Sequence, residues 1–229
     1  MFLINRRLNT ILVGCLEEVS YMKFMVMITG ASGTIYGLRL IEVLNRSGYY
    51  VETIYSEESI LVSDLECLNR EDFKRFLSKY SKKHYKSNEI EAPPSSSSYL
   101  YDFEGFIVAP ASLNTIAKAA HGITDNLINR VIANALRLRK KVVFLVRETP
   151  LGVIELKNLL ILAEAGAYIV PASPGFYHNP SSIMDLVDFI VGKILDLFII
   201  KHDLYKRWEG FSRGRDLCRS AFSDDLLVS

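Results

Sequence analysis

Short apolar runs alternate along the chain with amphipathic stretches, and most runs end in a cluster of small and polar residues. Phe24 to Ile28 is continuously apolar and reads as a buried strand. Leu38, Ile41 and Leu44 recur at helical spacing within Tyr36 to Leu44, so a helix follows. Tyr49 to Tyr55 alternates and is rich in Val, Ile and Tyr, which predicts a second strand. Glu57 to Cys67 is an acidic helical segment with Ile60, Leu61 and Leu65 on one side. Charge rises from Asn69 to Glu91, where a helix over about Glu71 to Tyr80 and then a surface loop are expected. Pro93-Pro-Ser-Ser-Ser-Ser98 breaks regular structure, as a linker or as a polar loop at a site.

Phe106 to Val108 reads as the next buried strand, followed by helices over Ile116 to Ala120 and roughly Asp125 to Arg139. In the second of these Leu127, Ile128, Val131, Ile132 and Ala135 share one face, and Arg130 and Arg137 lie opposite, two turns apart. Lys141 to Val146 is a buried parallel strand, Leu151 to Ala165 a helix and Gly166 to Val170 a further strand. A loop rich in proline, Pro171 to Pro180, leads into a long helix from Ser181 to about Ile200. That helix is apolar on most faces, which predicts burial between the sheet and a lid or another subunit. Asp185, Asp188, Lys193 and Asp196 interrupt it and argue against a membrane span. The regular exchange of strand and helix places the chain in the α/β class with a mostly parallel sheet.

The polar segments that follow strands are Gly30 to Ser32, Ser56, Ser112 to Thr115 and Arg147 to Pro150. In open α/β sheets that is where ligands sit. Ile28-Thr-Gly-Ala-Ser-Gly-Thr-Ile-Tyr-Gly37 is a turn from strand to helix whose free backbone N–H groups suit an anion. Its glycine spacing matches neither the dinucleotide fingerprint nor the P-loop, so a flavin or nucleotide phosphate and a tight turn without ligand both fit. Arg130 and Arg137 fit a solvated face or a phosphate clamp. Lys193, inside an apolar helix, needs a partner there, and a phosphate is one candidate.

The 229 residues, 49% of them hydrophobic, suit one domain with modest additions. A formal charge of +1 argues against a general nucleic-acid binder. Lysines around Tyr80, His84 and Tyr85 fit a solvated loop better than an RNA contact. The three cysteines, Cys15, Cys67 and Cys218, fit neither a disulfide framework nor a zinc spacing and point to a reducing cytoplasm. No metal constellation and no Gly-x-Ser-x-Gly elbow is apparent. The expected organisation is an N-terminal extension over 1–22, a domain over 23–210 and a tail over 211–229. Translation is expected to begin at or near Met22, because the first residues lack a signal-peptide core and cleavage site.

Taken in order, Ile28-Thr-Gly-Ala-Ser-Gly-Thr-Ile-Tyr-Gly37, Pro110-Ala-Ser-Leu-Asn-Thr115, Asp125-Asn-Leu-Ile-Asn-Arg130, Val146-Arg-Glu-Thr-Pro150 and Pro174-Gly-Phe-Tyr-His-Asn-Pro180 resemble the signature set of the UbiX-type flavin prenyltransferases. The resemblance spans about residues 23–210. It implies a flavodoxin-like or Rossmann-like three-layer sandwich that binds FMN and assembles into a homo-oligomer, typically a dodecamer. It further implies joining of the dimethylallyl group of dimethylallyl phosphate to N5 and C6 of reduced FMN, without a metal. The product, prenylated FMN, serves UbiD-type decarboxylases.

By the same resemblance Gly30, Ala31, Ser32, Ser56, Ser112, Leu113, Asn114, Thr115 and Arg147 contact FMN. Tyr177, Lys193, Arg130, Arg137 and Glu148 hold the dimethylallyl phosphate, some from neighbouring chains. Ser32, Glu66 and Glu148 handle protons. Arg137 stands where some members have Lys, and Lys193 where many have Arg, a change that loses the planar fork. Other classes remain in view: a flavin-dependent peptidyl-cysteine decarboxylase, a non-catalytic flavin carrier and an NAD(P)-linked short-chain reductase. The first lacks its Pro-x-Met-Asn-x-x-Met-Trp-like motif here, and the last lacks a downstream Tyr-x-x-x-Lys pair.

Overall fold

In the computed structural model, which describes residues 22–210, the central strand β1 (Lys23–Ile28) is flanked by parallel partners on both sides. Its residues Phe24 to Ile28 are fully buried because both faces of the sheet are covered, which is why the run is apolar without alternation. Phe24, Val26 and Ile28 pack into one hydrophobic cluster, while Met25 and Met27 pack into a second on the opposite face. The other strands are β2 (Tyr50–Tyr55), β3 (Lys83–Lys86), β4 (Phe103–Ala111), β5 (Lys141–Val146) and β6 (Tyr168–Pro171). All pair in parallel, in the order β3-β2-β1-β4-β5-β6. Without β3 the remaining order is that of flavodoxin, and the order reverses between β1 and β4, where α/β sheets open a ligand crevice.

The helices are α1 (Thr34–Arg46), α2 (Glu57–Glu66), α3 (Arg70–Tyr80), α4 (Leu113–Ala120), α5 (Leu127–Arg137), α6 (Val153–Glu164) and α7 (Ile183–Leu197). Residues of α1, α3 and α7 join the first cluster, those of α4, α5 and α6 the second, giving three layers. Arg39 of α1 ties the first layer together: its Nε and one terminal nitrogen donate to the Asp188 carboxylate of α7 at 2.7 and 3.0 Å.

Two expectations are corrected. The segment after α3 is not all loop, since Lys83–Lys86 adds β3 to the sheet edge, from Glu52↔Lys83 to Tyr55↔Lys86. Its charged, mostly exposed side chains carry no apolar signal, and lysines on an edge strand discourage further pairing. The Pro93–Ser98 stretch is not without regular structure either: Pro93–Ser95 forms a single 3-10 turn with proline at its start, and a second, Tyr99–Asp102, follows the stretch. Among the described residues no helix is long and apolar enough to cross a membrane, and no cluster of metal-ligating side chains occurs. The expectations about residues 1–21 and 211–229 lie outside the described residues.

Candidate functional site

Helix starts converge at the crevice between β1 and β4. Ser56 caps α2, its Oγ accepting the Ser59 N–H at 3.2 Å. Ser112 caps α4 and accepts the Thr115 N–H at 3.2 Å, while its hydroxyl donates to Thr115 Oγ1 at 3.0 Å. Asn126 caps α5, accepting the Asn129 N–H at 3.0 Å. All three caps line one cavity of about 470 Å3, together with Gly30, Leu113, Asn114 and Thr115. Each helix start presents unpaired N–H groups and the positive end of its dipole, so the cavity favours a phosphate. Its size is that of a cofactor site rather than of a lone anion.

The cavity floor is pinned across the sheet. Ser112 N–H donates to Thr29 Oγ1 at 2.8 Å, and that hydroxyl donates to the Pro110 carbonyl at 2.7 Å. Above the floor, the turn after β1 needs Gly33 in the left-handed region (φ 92°), where a side chain would be strained. Its N–H donates to Glu66 Oε2 at 2.8 Å, so α2 brings Glu66 over the turn. Arg147, at the end of β5, donates from Nε to the Ser32 carbonyl at 3.1 Å and lies 3.9 Å from Glu148 Oε1. The Ser32–Gly33 turn, Glu66 and Arg147, remote in sequence, therefore meet, with Glu148 beside Arg147. Glu148 borders both the large cavity and a recess of about 120 Å3 that it shares with Arg147 and Ser173.

Tyr177 and Lys193 form a separate group. The Lys193 ammonium lies 4.8 Å from the Tyr205 ring centre and 5.2 Å from that of Phe189. Polar contact with Tyr205 pushes its pKa up, burial opposes this, and the Asp196 charge adds to the rise, so Lys193 is a fixed cation. Aromatic faces thus supply the partner that its place in an apolar helix demands. Tyr177 meets Phe189 and Trp208 edge-on at 5.7 and 5.6 Å and borders a recess of about 140 Å3 with Arg207.

Arg130 and Arg137 are not brought to either place within one chain. Both are exposed on α5; Arg130 Nε donates to the Ser95 carbonyl at 3.4 Å, and Arg137 donates to Asn134 Oδ1 at 2.7 Å. The structure also adds cavity residues that the sequence reading missed, among them Ser87, Lys118 and Asn126. Asn126 was legible as a helix cap before Leu127. Ser87 was not, because it arrives at the end of β3, where its carbonyl accepts the Leu127 N–H at 2.8 Å.

A flavodoxin-ordered parallel sheet with a phosphate-favouring, cofactor-sized cavity at its switch point is the architecture of a nucleotide- or flavin-binding α/β protein. The model of the Flavoprotein family matches residues 16–195. Flavin prenyltransferase UbiX of Saccharolobus solfataricus is 47% identical over 192 residues, covering 82% of this chain and 92% of the relative. A crystal structure of AnUbiX (PadA1) in complex with FMN and dimethylallyl pyrophosphate superposes with a TM-score of 0.78 at 32% identity, covering 84% of this chain and all (100%) of that one. A dodecameric FMN-dependent UbiX-like decarboxylase from Escherichia coli O157:H7 superposes with a TM-score of 0.77 at 30% identity, covering 82% and 100%. The chain belongs to the flavin prenyltransferase UbiX family.

Proposed function

We propose that this chain joins the dimethylallyl group of dimethylallyl phosphate to N5 and C6 of reduced FMN, and that the prenylated FMN serves a UbiD-type decarboxylase. The observation that carries this reading is the Arg147–Glu148 pair, which stands between the helix-capped cavity and the adjoining recess. FMN supplies the nucleophilic positions, and the protein supplies placement, charge and proton handling. Ser56, Ser112, Leu113, Asn114 and Thr115 hold FMN with Gly30, Ala31 and Ser32, and Arg147 orders the turn through the Ser32 carbonyl. Lys193, Tyr177, Arg130 and Arg137 bind the phosphate that departs as the allylic bond breaks, stabilising the charge that develops on it. Glu148, on the border of the flavin cavity, takes part in removing the C6 proton, and Ser32 and Glu66 handle protons at the turn.

A complete phosphate clamp requires neighbouring chains, because Arg130 and Arg137 lie away from Tyr177 and Lys193 within one chain. Assembly into a homo-oligomer, a dodecamer, meets that requirement. The exposed apolar side of α6, with Val153 67%, Ile154 72% and Leu160 56% exposed, supports it. We take residues 23–210 as the functional unit and the cytoplasm as its site of action. A peptidyl-cysteine decarboxylase or a flavin carrier has no use for the Arg147-Glu148-Thr149-Pro150 tetrad. The test is transfer of the product: a flavin-free UbiD-type decarboxylase gains activity after incubation with this protein, reduced FMN and dimethylallyl phosphate. No gain over FMN alone overturns the proposal.

A further inference from the structure

After α7 the chain turns back and lies across the helix it has just left. The reversal uses Ile199 in the left-handed region (φ 60°), a conformation that a β-branched residue keeps only where its surroundings impose it. The returning segment, His202 to Trp208, is gathered by one helix residue. Asp196, in the last turn of α7, accepts from Tyr205 Oη at 2.5 Å and from an Arg207 terminal nitrogen at 2.6 Å, and His202 Nε2 lies 3.1 Å from it. Burial alone would push this carboxyl up; the bonds from Arg207, Tyr205 and His202 outweigh it and hold it at about 2.

The helix surface is shaped to receive the segment. A Cβ on Gly192 would stand 2.7 Å from the His202 ring and 2.7 Å from the Tyr205 ring, closer than packed atoms allow. Glycine inside a helix is otherwise a weak choice, so its place here answers to the crossing segment. Gly192 adjoins Lys193, and Tyr205 both packs on Gly192 and presents its ring to the Lys193 ammonium. Further along, Trp208 reaches the Tyr177 ring. One latch therefore sets the surroundings of both side chains.

We infer that Asp196 is a positioning residue for the allylic phosphate: it latches the His202–Trp208 segment onto α7 and so holds Lys193 and Tyr177 in place for substrate. The inference rests on the assignment of Lys193 and Tyr177 to the dimethylallyl phosphate. Asp196 touches no substrate. Its loss displaces the groups that hold the phosphate both when bound and as charge develops on it, so KM rises and kcat falls while the flavin cavity is untouched.

The experiment compares Asp196→Asn, Gly192→Ala and Lys193→Ala in the full chain, measuring KM for dimethylallyl phosphate, kcat and FMN affinity. Loss of charge-assisted bonds in the latch is expected to raise KM about tenfold in Asp196→Asn and to lower kcat, with FMN affinity within about twofold. Gly192→Ala, whose methyl would push the crossing segment off α7, moves KM in the same direction with FMN affinity retained, a split that general destabilisation does not produce. Should Asp196→Asn fold poorly, Arg207→Gln removes the latch from an exposed side chain and is expected to raise KM likewise. A raised KM in Lys193→Ala with parental values in the latch variants overturns the inference alone. Parental KM in Lys193→Ala overturns the assignment of Lys193, and the latch with it.

Discussion

Glu148 owes its place to the end of β5, where a fully buried strand stops and its next residues emerge beside the cavity. A carboxylate there, beside Arg147 and on the border of two recesses, can accept a proton without leaving its seat. Glu148→Gln keeps the shape and removes that capacity. Turnover is expected to fall on the order of a hundredfold or more, with FMN affinity retained, as read by single-turnover kinetics beside a flavin titration. Undiminished turnover would remove Glu148 from the chemistry. Residues of this kind were legible in the sequence because they follow strands: Ser56 and Ser112 sit between an apolar run and a helical period, which is the place of a cap. The surroundings of Lys193 were not legible. Its demand for a partner shows in the sequence, but the partner proved to be a pair of aromatic faces, one of them delivered by a chain reversal beyond the helix.

At the scale of elements, the contact between the last helix and its returning segment is sensitive to acid. The Asp196 carboxyl is held at about 2 against an ordinary 3.8, so its bonds stabilise the folded state above about pH 4. That contribution is lost as pH falls through about 2. Asp196→Asn is therefore expected to lower Tm by about 3 °C near neutral pH and to converge on the parent as pH approaches about 2, a shift that thermal denaturation at several pH values reads directly. A constant difference across that range would show that the carboxylate's charge is not what holds the segment. The alternation of strands and helices was readable because buried parallel strands are apolar throughout, as Phe24 to Ile28 and Lys141 to Val146 show. The strand without an apolar signal, Lys83–Lys86, lies at the sheet edge, where lysine and histidine side chains are exposed.

At the scale of the molecule, one chain holds the helix-capped cavity but sets its exposed arginines apart from Tyr177 and Lys193. Arg130 and Arg137 occupy the exposed face of α5, and Tyr177 and Lys193 lie on the α7 side of the sheet. Such a division has a use only if chains come together, and the uncovered apolar residues of α6 offer a surface for that. Ile154→Glu, at a side chain 72% exposed in the single chain, is expected to shift light-scattering mass to smaller species and to cut prenylation, while each chain still binds FMN. A parental mass would exclude α6 from the interface. This level of organisation was not legible in residue pattern: periodicity reports which face of a helix is apolar, and α6 is apolar on the outside as well as within.

Transfer of a five-carbon group changes the mass of the flavin, and mass spectrometry of the flavin after anaerobic incubation reads that change. Purified protein receives reduced FMN and dimethylallyl phosphate, and the flavin is extracted and weighed. A flavin heavier by one C5H8 unit is the expected result. Tightly bound but unmodified FMN would contradict it and leave the chain a flavin carrier.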